Sequence, residues 1–117
     1  MMTIYVDGGA RPNPGSMIGC VLVEGCSPEI FRFGSGTNNR AEYLALIEAL
    51  KIARKMRVKV RILTDSLLVY KQVYGFWNIS ENQDLHQKAL KLLEGHISLE
   101  WISRKFNLAG KVLKHIK

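Results

Sequence analysis

The chain has 117 residues, 47% apolar and 23% charged, with 17 Lys or Arg against 10 Asp or Glu, a net charge of +7 and a pI near 9.7. That length suits a single domain spanning residues 1–117 with one core, and the composition argues against a repeat array and against disorder beyond the ends. Charges interrupt the apolar runs well before the ~20 residues a membrane helix needs, so neither a membrane span nor a signal peptide is expected, and a cytoplasmic location is. Two cysteines, Cys20 and Cys26, are too few for a disulfide scaffold and are expected as buried free thiols.

A basic protein is drawn to polyanions through counterion release. Residues 51 to 61, KIARKMRVKVR, hold six Lys or Arg, and beyond Glu100 there are five Lys or Arg and no acid. Charge runs of this kind are often no more than solvated helix faces, so nucleic acid enters here only as the leading class of partner.

In chain order, residues 2 to 7 read as a strand, with β-branched and aromatic residues leading into Asp7-Gly8-Gly9. The prolines and glycine of RPNPGS make a loop. Residues 17 to 24 and 29 to 35 are two further strands joined by a turn around Gly25 to Pro28, completing an antiparallel meander. From Asn39 to Met56 the period changes: Tyr43, Leu46, Ile47, Leu50 and Ala53 follow the spacing of an amphipathic helix. A strand over 58 to 64, a short helix over 66 to 74, a helix over 84 to 93 stopped by Gly95, a strand over 97 to 102 and a last helix over 107 to 116 complete the chain. The order β-β-β-α-β-α-α-β-α predicts an α/β fold, a mixed sheet flanked by helices, because strands separated by helices need crossovers and so run parallel.

Three acids occupy element ends: Asp7 closes the first strand, Asp65 the fourth, and Glu42 lies near the start of the first helix. Each has a local explanation, Asp7 as a turn residue, Asp65 as a helix cap, and Glu42 as the partner of Asn39 in a capping box. Taken together they sit where ligands of parallel strands gather. Converging carboxylates repel unless a cation is present, and hard oxygen donors of this kind suit Mg²⁺ or Mn²⁺. A divalent site in a basic protein points to phosphodiester chemistry.

The motifs YVDGGARPNPG, TNNRAEYLALIEAL and ILTDS, followed by EWISRKFN, resemble type 1 ribonuclease H in order and spacing over nearly the whole chain. The resemblance implies a five-stranded sheet with three antiparallel and two parallel strands, and cleavage of the RNA strand of RNA·DNA hybrids by a monomer. It makes Asp7, Glu42 and Asp65 the metal-binding carboxylates, in a site whose two divalent ions stand about 3.5 to 4 Å apart. Asn13, Asn38 and Asn39 match positions that contact the hybrid in its minor groove, and Thr37 and Arg40 match positions near the DNA strand and its phosphate pocket. Asn39 also reads as a plain cap residue.

The chain departs from the family pattern at four places. GFWNISENQ replaces the basic protrusion of the long forms, Leu67 replaces a frequent Gln, and the short SRKF loop lacks the proton-shuttling His. The fourth carboxylate, in Asn-x-x-Ala-Asp-x-Leu, is Lys111 here, with Asn107 and Leu113 matching around it without a gap. An ammonium cannot ligate a cation. Three readings stand side by side: Lys111 or the Asn107 amide oxygen assists the second ion's position; the chain binds hybrid without cutting it; or Lys111 is solvated at the helix end and catalysis is slow.

Overall fold

The structure is a computed structural model, and residues 1–116 are described. Three strands, β1 (Met2–Arg11), β2 (Gly15–Val23) and β3 (Glu29–Gly36), form an antiparallel meander, followed by helix α1 (Asn38–Arg54). Strand β4 (Val60–Thr64), helices α2 (Leu67–Val73) and α3 (Gln83–Leu92), strand β5 (Ile97–Trp101), a 3-10 turn (Arg104–Phe106) and helix α4 (Leu108–Lys114) follow. The sheet order is β3-β2-β1-β4-β5, with β4 parallel to both β1 and β5. This is the five-stranded mixed sheet that the element order implied.

The strand period of two divides the residues of β1 between two layers. Ile4 and Val6 are buried with Val21, Ile62 and Leu99 against Tyr43, Leu46, Ile47 and Leu50 of α1. Tyr5, alternate to these, packs with Cys20, Ile18, Ala109 and Leu113 under α4. Gly8 is where α1 comes closest to β1: a Cβ there would collide with the Ala41 carbonyl and lie 2.8 Å from the Glu42 nitrogen.

A polar network fastens the helical layer. Tyr43 donates its hydroxyl to Gln72 Oε1 (2.7 Å), Gln72 donates to the Asn78 carbonyl (3.1 Å), and His86 Nε2 lies 3.1 Å from the Gln72 carbonyl. These bonds anchor the short connection that stands in place of a basic protrusion. At the sheet edge, the Tyr74 hydroxyl donates to the Leu99 carbonyl (2.8 Å) and accepts from the Leu99 N–H (3.0 Å), occupying both backbone groups on β5.

Several local expectations are corrected. Asp7 lies inside β1 rather than at its end, because pairing with β2 continues to Arg11↔Ser16. The parallel pairing with β4, however, stops at Val6↔Thr64, so the sheet opens beside Asp7 on that side only. Thr37, not Asn39, caps α1, and Ser66, not Asp65, caps α2, each accepting a backbone N–H at 3.2 Å. Cys20 is buried but Cys26 is exposed, and both are free thiols. Gly8→Ala is expected to destabilise the fold by about 1–3 kcal/mol through overpacking against α1, measured by urea unfolding, whereas Gly95→Ala, where nothing is near, should cost far less.

Candidate active site

Asp7 comes from β1, Asp65 follows β4, and Glu42 comes from the second turn of α1; each offers a carboxylate oxygen within 4.8 Å of the others. Glu42 Oε1 accepts the Gly8 N–H at 3.0 Å, so the close helix–strand approach at Gly8 also positions Glu42. This bond takes the place of the capping box, and none of the three acids serves a cap.

Burial and mutual repulsion dominate the electrostatics. Asp7 is pushed up to about 7 by desolvation and then by Asp65, against the Gly8 N–H and the charge of Arg104. Glu42 is raised well above its ordinary value, first by burial and then by Asp7 and Asp65. Asp65 Oδ2 accepts from the Asn107 amide at 3.0 Å, but its Oδ1 is buried with no hydrogen-bond partner. Three hard oxygen donors, two with their protons held tightly and one with an orphaned buried oxygen, fit a divalent cation.

Asn107 is fully buried and joins three elements. Its amide nitrogen donates to the Val6 carbonyl (3.0 Å) and to Asp65, while its oxygen accepts the Ala109 N–H (3.1 Å) and caps α4. The amide oxygen is thus turned into its own helix and does not join the carboxylates, contrary to one of the sequence readings. Asn107 instead sets α4 over the site. Gly110 brings α4 close to the carboxylates: a Cβ there would stand 3.3 Å from Asp7 Oδ2 and 3.6 Å from Asp65 Oδ2. Lys111 is exposed and lines the same cleft, of about 1070 Å³, as the three acids.

The remaining sequence candidates lie at the start of α1 and in the β1–β2 turn. Asn38 accepts the Ala10 N–H (2.7 Å) and donates its own N–H to Asn13 (2.9 Å), and Asn38 and Asn39 line the cleft. Arg40 donates to Asn82 (3.1 Å) and pairs with Asp84 (3.1 Å), whose carboxyl this hydrogen bond holds below its ordinary value. Asn82 carries a left-handed φ of 59°, so Arg40 grips a strained corner. Sequence reasoning missed Arg104, whose charge favours ionised Asp7 and Glu42, and Trp101, which donates Nε1–H to the Asp65 carbonyl (3.2 Å). Both lie in EWISRKFN, but only the fold shows that β5 ends beside β4's carboxyl end.

Comparison with known proteins agrees with this geometry. The family model for RNase H matches residues 1–105. The chain is 38% identical over 96 residues to ribonuclease HI of Halobacterium salinarum, an alignment covering 77% of this chain and 48% of that protein's length. The crystal structure of RNase H1 from that archaeon superposes with a TM-score of 0.82 at 32% identity, covering 96% of this chain and 92% of that one. The structure of LC11-RNase H1 in complex with an RNA/DNA hybrid gives 0.79 at 29% identity, covering 97% and 93%. The fold and its carboxylate cleft therefore define a member of the ribonuclease H family, to which this chain belongs, on its type 1 branch. Among the described residues no helix is long and apolar enough to cross a membrane.

A raised carboxyl pKa means that the folded chain holds its proton more tightly than the unfolded one, so stability falls as pH rises from about 4 to about 7. In EDTA the melting temperature is expected to drop across that interval and to recover on adding Mn²⁺. Asp7→Asn should make the profile shallower, with the buried Glu42 keeping part of it, and melt several degrees above the parent at neutral pH. Circular dichroism melts check both, and a flat parent profile would count against a crowded, metal-ready site.

Proposed function

We propose that this protein hydrolyses the RNA strand of RNA·DNA hybrids endonucleolytically, with Mg²⁺ or Mn²⁺ as cofactor. The observation that carries the reading is the convergence of Asp7, Glu42 and Asp65, with the Asp65 oxygen left unpartnered, in a ribonuclease H fold. A solved relative bound to an RNA/DNA hybrid supports the choice of substrate.

In this reading Asp7, Glu42 and Asp65 hold the cation, which when bound supplies activation of water and stabilisation of the leaving 3′-oxygen. The chain's own groups do the rest. The Asn13–Asn38 pair and Asn39 face the minor groove, where 2′-hydroxyls distinguish RNA from DNA, and Thr37 and Arg40 lie toward the phosphates of the DNA strand. Arg104 offsets negative charge beside Asp7 and Glu42. Cleavage by the monomer leaves a 5′-phosphate and a 3′-hydroxyl, and turnover is slow because Lys111 stands where the family has a fourth carboxylate.

The test is cleavage of a labelled hybrid run side by side in Mg²⁺ and Mn²⁺. Asp7→Asn is expected to lower Mn²⁺-dependent cleavage by at least two orders of magnitude, the scale on which charge-stabilising groups contribute. Cleavage that survives Asp7→Asn would sink the site assignment. Selective hybrid binding over duplex DNA, without cleavage in either metal, would leave a binding module.

A further inference from the structure

The carboxylate cleft has a second wall of opposite charge. Arg104 and Lys105 come from the turn after β5 and Lys111 and Lys114 from α4, and all four line the cavity shared with Asp7, Glu42 and Asp65. Lys111 and Lys114 are three residues apart on a helix and so share a face. All four are exposed, and among the described residues none forms an ion pair with an acid, whereas Arg40, Lys51 and Arg54 each do. Beyond Glu100 no acid exists to pair with them. The wall is also held in place, because Asn107 ties the start of α4 to Val6 and Asp65.

Charge balance gives this wall a role. Four carboxylates with two divalent ions are neutral before substrate arrives. Three carboxylates with one divalent ion leave a single negative charge, which one ammonium on the facing wall cancels. A second divalent ion would have to share the same three carboxylates, with a lysine where its own ligand should be and an adjacent guanidinium at Arg104. Four cations exceed that single charge, so the wall as a whole keeps a net positive field for the substrate's phosphates.

Resting on the hydrolytic reading above, we propose that the cleft takes one divalent ion rather than two, and that Lys111, with Lys114 and Arg104, binds the phosphates flanking the bond to be cut. Replacement of the family's acid by lysine is then a change of device: a fixed cation stands in for a recruited one.

The experiment counts Mn²⁺ by electron paramagnetic resonance titration of the intact chain bound to a cleavage-resistant 2′-fluoro RNA·DNA hybrid. One Mn²⁺ per chain is expected for the parent and two for Lys111→Asp, which should also turn over severalfold faster on cleavable hybrid at saturation. Lys111→Ala and Lys114→Ala should still bind one Mn²⁺, and each should reduce the slope of log affinity against log salt by about 0.9. Both positions are exposed, so these variants should fold as the parent does. Two Mn²⁺ in the parent, one in Lys111→Asp, or unchanged salt slopes in both alanine variants would overturn the proposal. The count is independent of turnover: a chain that binds one ion and shows the altered slopes but never cuts would refute the hydrolytic reading and leave the wall standing.

Discussion

The carboxylate end of the molecule depends on one buried amide. Asn107 has no exposure and spends both ends of its side chain on different elements: the nitrogen on β1 and on Asp65, the oxygen on the first turn of α4. A seven-residue helix has little intrinsic stability, and α4 owes its position to this amide and to Ala109 and Leu113 packed over Cys20. Since α4 carries both Gly110 and Lys111, the distance from the carboxylates to the cationic wall is set by the same amide. Removing the nitrogen would take a donor from the Val6 carbonyl and Asp65, and removing the oxygen would leave the helix uncapped.

The site is built at the expense of the fold's own stability. Packing Glu42 and Asp7 against Asp65 raises two carboxyls above their ordinary range, and one Asp65 oxygen is left without a partner. No protein group nearby compensates fully: Gly8 N–H, Asn107 and the field of Arg104 each offset part of the repulsion. Close approach at Gly8 and the rigid α1 helix prevent the acids from relaxing apart. Residual repulsion of this kind is what a divalent cation held between the three acids would relieve.

Much of the fold was legible because its signals are periodic or terminal. The meander, the i, i+3, i+4, i+7 stripe of α1 and the strand–helix alternation that makes β4 and β5 parallel could all be read from residue spacing. The three acids were legible as a set only through fold-level logic, since each alone resembled a cap or a turn residue. What escaped was set by pairing and packing. Asp7 was placed at a strand end because Gly8-Gly9 reads as a turn, yet ladder bonds to β2 carry the strand four residues further. The caps fell on Thr37 and Ser66, the hydroxyl residues immediately before Asn38 and Leu67, where the helices begin. Arg104 and Trp101 acquire meaning only when β5 docks beside β4, and the Asn107 oxygen faces its own helix because Asp65 accepts from the amide nitrogen, which leaves the oxygen to the Ala109 N–H.

The Tyr74 hydroxyl has a consequence beyond packing. A sheet edge with free backbone groups is a template for a neighbouring chain, and β5 would be such an edge if Leu99 were unpaired. With its N–H and carbonyl both claimed by Tyr74, the middle of that strand cannot accept another strand. The opposite edge, β3, is broken by a register shift opposite Met17 and Ile18 and by Gly34 at φ +84°. A strongly basic protein accumulates along any polyanion it binds, so several copies crowd one strand. With Leu99 claimed on one edge and the register broken on the other, the sheet offers such crowded copies little continuous strand to pair with.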